Sequence, residues 1–314
     1  MMSKTALLFP GQGSQYVGMG STLCASFPAA LARFDEASAI LGFDLLRVCT
    51  EGPDEELRKT HTTQPALYVK SLAAWEVVKD VLRPDFAAGH SLGEYSALAA
   101  AGAISFADGV RAVRKRGELM WESGVKRPGT MAAVLGMTPE EVNSICAEAS
   151  AAGVVQSANL NSPGQIVISG ETQAVERAVE IARARGARKA MMLNVSGAFH
   201  SALMADARQD LEEFLKGLSI RDAAFPVYAN ASAAPVQDAA SIRRLLGEQM
   251  TSPVRWEESM RALLAAGANE FYEVGAGSVL KGILRQIDKS AACTCVGTAE
   301  SVEALRAAMS GGVR

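Results

Sequence analysis

The sequence predicts an α/β fold with a largely parallel sheet and a second, smaller unit inserted into it. Three observations carry this. Short apolar runs suited to buried strands alternate with helix-period segments along most of the 314 residues. Between Thr130 and Val195 that rhythm gives way to strand, helix, strand, turn, strand, helix, strand. Just before the change stands "KRPGT", polar and bearing proline and glycine, as an exposed linker does.

In chain order, "TALLFP" reads as a strand, "QPALYVKSLAAWEVVKDVL" as a long amphipathic helix, "DFAAGH" as a strand and "SFADGVRAVRKRGELMW" as a second long helix. The inserted segment follows as strand "TMAAVLG", helix "TPEEVNSICAEAS", strand "VVQSANL", turn "NSPG", strand "QIVISG", helix "ETQAVERAVEIARARG" and strand "RKAMMLNV". That β-α-β-β-α-β order is the ferredoxin-like unit. Strand "NEFYEVG" and helix "SVLKGILRQI" come late in the chain. The expected division is residues 129–195 for the small unit, with 1–128 and 196–314 forming the large one.

Composition narrows the function classes. About half the residues are apolar and 21% charged, without an 18-residue apolar stretch. The apolar run near the start, Ala6 to Phe9, is too short for a signal-peptide core. The expectation is a cytoplasmic protein, not membrane-bound. Five cysteines are odd in number and none form CxxC, which predicts reduced, packed thiols and no metal site. A net charge of −3 argues against a nucleic-acid partner, and any anionic partner must meet a local basic patch.

Chemistry concentrates at Gly89-His90-Ser91-Leu92-Gly93, a G-x-S-x-G elbow between an apolar strand and the helix-forming "LGEYSALAAAG". The helix start leaves free N–H groups where an oxyanion would form. A serine nucleophile needs a base, and there are only three histidines. His90 adjoins Ser91 in the turn, so the two side chains should diverge. His61, in "KTHTTQPAL", reads as a surface or capping residue. His200, in "VSGAFHSALM", lies where the chain returns to the large unit and remains as the candidate base. Asp206, Asp210, Asp222 and Asp238 are all possible orienters of that histidine, as is a backbone carbonyl.

Two further residues stand out. On the helix from Ser105 to Trp121, Arg116 falls at the edge of the buried face formed by Val110, Val113, Gly117 and Met120. A guanidinium there needs an anion: either a protein carboxylate or a substrate carboxylate held by a bidentate clamp. "FPGQGSQYVGMG" has Gly11-x-Gly13, but Tyr16 replaces the third glycine of a dinucleotide fingerprint. Its loop is either a simple turn or, beside the elbow, the source of a second oxyanion N–H near Gln12.

"FPGQGSQ", "TQPAL", "GHSLGEYSAL", Arg116-Gly117, "NSPGQIVISG", "FHSALM" and "SPVRW" together resemble the malonyl-CoA:acyl-carrier-protein transacylase family of acyltransferases, over essentially the whole chain. The resemblance implies an α/β-hydrolase-like large subdomain with a ferredoxin-like insertion. It implies Ser91 as nucleophile, His200 as base, and Gln12 and Leu92 as oxyanion-hole N–H donors. It further implies Arg116 as partner of the malonate carboxylate, Gln12 and Phe199 in the acyl site, and Gln249, in "GEQMTSPVRW", as the residue whose carbonyl orients the histidine. Leu92 after the nucleophile and "GAFH" before His200 fit the malonyl pattern, although Gly197 departs from the "HAFH" of modular enzymes. The expected partners are malonyl-CoA and an acidic acyl carrier protein, with coenzyme A as product, no other cofactor, and a monomeric enzyme. Arg185, Arg188 and Lys189, with Arg183, in "RARGARK" are the candidate carrier surface. A discrete polyketide-type acyltransferase, a thioester hydrolase using the same Ser–His pair and a silent docking module are the alternatives.

Overall fold

The structure is a computed structural model and describes residues 3–311. The chain begins with β1 (Thr5–Phe9) and then four short or medium helices, α1 (Ser21–Ser26), α2 (Pro28–Leu41), α3 (Leu45–Glu51) and α4 (Asp54–Arg58). Next come α5 (Thr60–Glu76), β2 (Phe86–Gly89), α6 (Gly93–Ala100) and α7 (Phe106–Lys126). The inserted segment supplies β3 (Gly129–Leu135), α8 (Pro139–Ala149), β4 (Val155–Ser162), β5 (Gln165–Glu171), α9 (Thr172–Ala184) and β6 (Lys189–Met192). The return contains α10 (Ala205–Lys216), β7 (Val227–Ala229), β8 (Ala234–Val236), α11 (Ala239–Glu248), α12 (Trp256–Ala265), β9 (Glu270–Val274), α13 (Val279–Ile287), β10 (Ala292–Val296) and α14 (Ala299–Gly311).

Six strands form the large sheet in the order β10-β9-β1-β2-β7-β8, parallel except for the terminal β7–β8 pair. Every residue of β1 is buried because it faces two cores. Leu7 and Phe9 join the cluster containing α5 and α6, while Ala6 and Leu8 join the one containing Trp256, Met260 and Ile283. Such double-faced burial is what a continuous apolar strand encodes. β1 and β2 end together, with Phe9 paired to Gly89, so the Gly11 loop and the Ser91 elbow emerge side by side. The carboxyl ends of adjacent parallel strands are where open α/β sheets build their sites.

The inserted segment forms a four-stranded antiparallel sheet, β4-β5-β3-β6, the strand order of a ferredoxin-like unit. Ala132, Val134, Ile166 and Ile168 pack under α8 and α9. The alternate residues Met131 and Val167 point the other way and belong to the large core. Backbone bonds from Leu160 to the Val254 carbonyl and from Val254 to the Ala158 carbonyl tie this sheet to the segment before α12.

Three elements depart from expectation: α7 runs past Trp121 to Lys126, β6 stops at Met192 short of Val195, and α5 is shifted towards the N-terminus. The helix expected to begin at Gln64 begins at Thr60, so Pro65 lies inside α5, and it ends at Glu76. A proline cannot donate to the carbonyl four residues earlier. That carbonyl, of His61, instead accepts from Arg114 Nη1 at 3.0 Å, which is how the early start is tolerated. His61 is therefore a helical residue packed edge-on to Trp121, 5.6 Å between centroids, rather than a cap.

α6 lies so close to β1 that a Cβ on Gly93 would sit 2.1 Å from the Phe9 carbonyl oxygen. The atom in the way belongs to a central strand and cannot yield cheaply. Gly93→Ala is expected to destabilise the fold by about 3 kcal/mol; a urea midpoint equal to that of the parent would contradict this packing.

Candidate active site

The elbow is built by steric necessity. Ser91 has φ 51, a left-handed conformation that side-chain-bearing residues avoid. A Cβ on Gly89 would fall 1.9 Å from the Gly93 carbonyl carbon, and one on Gly11 would fall 2.3 Å from the His90 carbonyl oxygen, so glycines let three backbone segments cross. The turn is held by Asn230, at the end of β7. Its Oδ1 accepts from the Ser91 N–H at 2.7 Å, and its Nδ2 donates to the Gly89 carbonyl at 2.7 Å.

His200 also has positive φ, 57, and its Nε2 lies 2.7 Å from Ser91 Oγ. Its Nδ1 donates to the Gln249 carbonyl at 2.9 Å, which leaves Nε2 as the acceptor for the serine proton. Burial, reinforced by the nearby Arg116 charge, pushes the imidazole pKa down to about 3, so the ring is neutral at physiological pH. None of the four aspartates considered from sequence holds this ring. Asp206 pairs with Arg127, Asp222 accepts from the Ala239 N–H, Asp238 caps α11 and Asp210 is exposed. His90 is half-buried and turned away, with Nε2 2.8 Å from Asn161 Oδ1 and its ring 5.4 Å from that of Trp256.

Arg116 is 1% exposed and, among the described residues, makes no ion pair. Its Nη1 donates to Gln64 Oε1 at 2.9 Å, and its Nη2 to Gln249 Oε1 at 2.9 Å and Ser91 Oγ at 3.1 Å. The guanidinium lies over Tyr95, 5.7 Å from the ring centroid, and its Nε is buried without an acceptor. Burial pulls its pKa downward against the opposing pull of Tyr95 and Glu94, yet guanidinium remains charged.

A cavity of about 230 Å³ opens beside Ser91, lined by residues that include Gln12, His200, Phe199, Met131 from the small sheet and Val279 at the start of α13. Among the described residues, the N–H groups of Gln12 and Leu92 have no protein acceptor. The candidate surface residues are not equivalent. Arg183 is spent on the Ala190 carbonyl and Arg185 is paired with Glu148, whereas Arg188 and Lys189 are exposed. The described residues contain no helix long and apolar enough to cross a membrane and no group of three His, Cys, Asp or Glu suited to a metal. All five cysteines are free.

Residues 6–308 match the family model described as the acyl transferase domain. The chain belongs to the acyl transferase family. It is 48% identical over 304 residues to the malonyl CoA-acyl carrier protein transacylase of Bacillus subtilis, covering 96% of each chain. Among solved structures, an acyl-carrier-protein S-malonyltransferase from Bartonella henselae superposes with a TM-score of 0.94 at 42% identity, covering 98% of this chain and 99% of that one. A malonyl-transacylase in complex with its type II polyketide-synthase acyl-carrier protein superposes at 0.93 and 40% identity, covering 96% and 99%.

Three side chains of this acyl transferase site were not singled out from sequence: Gln64, Asn230 and Glu94. Glu94, 2% exposed on the first turn of α6, accepts from Gln249 Nε2 at 2.8 Å and from the Asn230 N–H at 2.9 Å, both on Oε2. Its place three residues after Ser91 in "GHSLGEYSAL" was the available signal. Burial raises its pKa to about 7, with its hydrogen bonds and Arg116 opposing. The folded protein therefore keeps this proton up to about pH 7, whereas the unfolded chain releases it near the ordinary glutamate value of 4.5. The resulting contribution to stability is complete below that lower value and is lost as pH rises through the folded one. Glu94→Gln is expected to be more stable than the parent by about 3 kcal/mol at pH 8 and little different at pH 4.5. Urea titrations giving the same difference at both pH values would refute this.

Proposed function

We infer that the protein transfers the malonyl group from malonyl-CoA to the phosphopantetheine thiol of an acyl carrier protein, through a malonyl-serine ester. The observation that carries this reading is the pairing of an activated serine with a buried guanidinium that makes no ion pair among the described residues. The relatives bearing that activity by name are similar over nearly the full chain. The structural neighbour solved with a carrier protein supports the partner.

In this reading His200 Nε2 takes the Ser91 proton as Oγ attacks the thioester carbonyl. The N–H groups of Gln12 and Leu92 hold the tetrahedral oxyanion, and the coenzyme A thiol leaves. The carrier's thiol then attacks the ester and regenerates serine. Gln249 positions His200 through its carbonyl. Arg116 selects the acyl group: its unpaired Nε and adjacent Nη2 form the edge that a carboxylate grips with two bonds, taking over the Nη2 hydrogen given to Ser91 Oγ, the atom to which the malonyl group becomes attached. Phe199 and Gln12 close the acyl site. No cofactor beyond the coenzyme A of the substrate is required. Residues 129–195 form the small subdomain on residues 1–128 and 196–314, contributing the far wall of the cavity. Arg188 and Lys189, with Arg185 and its partner Glu148 beside them, are the proposed carrier-facing cations, and the enzyme is read as a cytoplasmic monomer.

Intact-mass measurement after mixing with malonyl-CoA is expected to show one malonyl adduct that is absent in Ser91→Ala and is discharged by carrier protein. Rapid release of free malonate with no carrier acylation would favour a hydrolase instead. Arg116→Ala is expected to lose malonyl acylation by about a hundredfold or more while acetyl acylation changes far less, because a site built around a cation rejects ligands that cannot pair it. Equal losses for both acyl groups, measured in single-turnover acylation, would remove Arg116 from that role.

A further inference from the structure

The site contains a buried carboxyl that the reaction as derived does not use. Glu94 Oε2 takes both the Gln249 side-chain N–H and the Asn230 backbone N–H. The other half of the Gln249 amide, Oε1, accepts from Arg116 Nη2, and Gln249 Nε2 also donates to the Ser91 carbonyl at 3.0 Å. An amide can flip by half a turn at little intrinsic cost. If Gln249 flipped, its NH₂ would point at the guanidinium and its oxygen at the Ser91 carbonyl, so those two partners set which way the amide faces. Glu94 Oε2, taking the remaining Nε2 hydrogen together with the Asn230 N–H, sets where the amide sits.

We propose that Glu94 is a positioning residue for acyl selection: by fixing the Gln249 amide it holds the Arg116 guanidinium against Ser91, where the carboxylate of a bound acyl group can reach it. This rests on the malonyl-transfer reading and adds to it a residue that touches neither substrate nor the reacting atoms. The same oxygen holds the Asn230 backbone, and the Asn230 side chain pins the Ser91 and Gly89 peptides. Selector and nucleophile are thus referenced to one atom. The surroundings leave that task to Glu94. The strands beside its helix, "TALLF", "FAAG" and "VYA", carry no side chain charged at neutral pH. α5 contributes the uncharged Gln64, while its Lys70 is spent on the Gly297 carbonyl and its His61 packs on Trp121. Arg116 from α7 is the charged group coupled to Glu94.

The test compares Glu94→Met, similar in volume but without an acceptor, with Glu94→Gln, whose one carbonyl oxygen can take both bonds. Single-turnover acylation of Ser91 is measured with malonyl-CoA and acetyl-CoA on the full-length protein. In Glu94→Met the malonyl-to-acetyl rate ratio is expected to fall at least tenfold, and in Glu94→Gln to stay within about threefold of the parent. A purely structural role would lower both rates together and leave the ratio alone. An unchanged ratio in Glu94→Met overturns the assignment, as does a tenfold fall in Glu94→Gln; the latter comparison decides alone if Glu94→Met does not fold. A parent that acquires no malonyl adduct sinks the transfer reading, and this assignment with it. A parent that acquires the adduct while the variants keep its ratio sinks only the role of Glu94.

Discussion

The arrangement of this site follows from burying one guanidinium that has no ion pair among the described residues. An isolated charge taken from water costs several kcal/mol even after the protein relaxes, and the usual remedy is a carboxylate in contact. Here the remedy is distributed. Gln64 from α5, Gln249 after α11 and Ser91 from the elbow each supply an acceptor, the Tyr95 ring lies over the cation, and Glu94 sits one amide away. Each of these contacts is weaker than a direct ion pair. That weakness suits the proposed capture of a substrate carboxylate, and it requires several elements to converge to hold the guanidinium in place.

A second constraint is backbone strain. Of the three non-glycine residues with positive φ among the described residues, two are Ser91 and His200, whose side chains meet. Conformations of this kind persist only where surrounding structure over-determines them. Ser91 is pinned through its N–H by Asn230 and through its carbonyl by Gln249. His200 is held through its ring by the Gln249 carbonyl, and its own carbonyl accepts from Gln156 of the small sheet at 3.4 Å. The inserted sheet thus does more than wall the cavity, since it also contributes to placing the base.

These two constraints explain what was legible in the sequence. The elbow was readable because strand, glycines and serine are contiguous, and the base because only three histidines were available. The six-element rhythm of the insertion was readable because its strands alternate faces, with Ala132 and Val134 inward and Met131 toward the cleft. Helical spacing placed Arg116 on a buried edge but left its partner open, and only the fold shows uncharged acceptors around it. Asn230 was hidden for a physical reason. It acts on Ser91 across 139 residues, and nothing local in "VYANAS" distinguishes an asparagine that pins a turn from one in an ordinary loop. The early start of α5 was hidden similarly, because Pro65 argues for a boundary until Arg114 is seen to satisfy the freed carbonyl.

The absence of a carboxylate behind His200 bears on why this site favours transfer over hydrolysis. A carbonyl at Nδ1 fixes the tautomer but offers only a dipole to an imidazolium, and burial beside Arg116 disfavours the charged ring further. A histidine in that state is a weak base. A thiol ionises near pH 8.5, whereas water does so near 15.7. The weak base therefore suffices to draw a proton from an incoming thiol, and coenzyme A, itself a good leaving group, needs little help on departure. The Ser91 hydroxyl ionises as reluctantly as water, but it is fixed 2.7 Å from Nε2 and its oxygen takes an Arg116 N–H at 3.1 Å, whereas an incoming water has only the weak base. In the proposed reaction the ester on Ser91 can then wait for a carrier thiol, because the features that bury Arg116 also keep His200 from becoming a strong hydrolytic base.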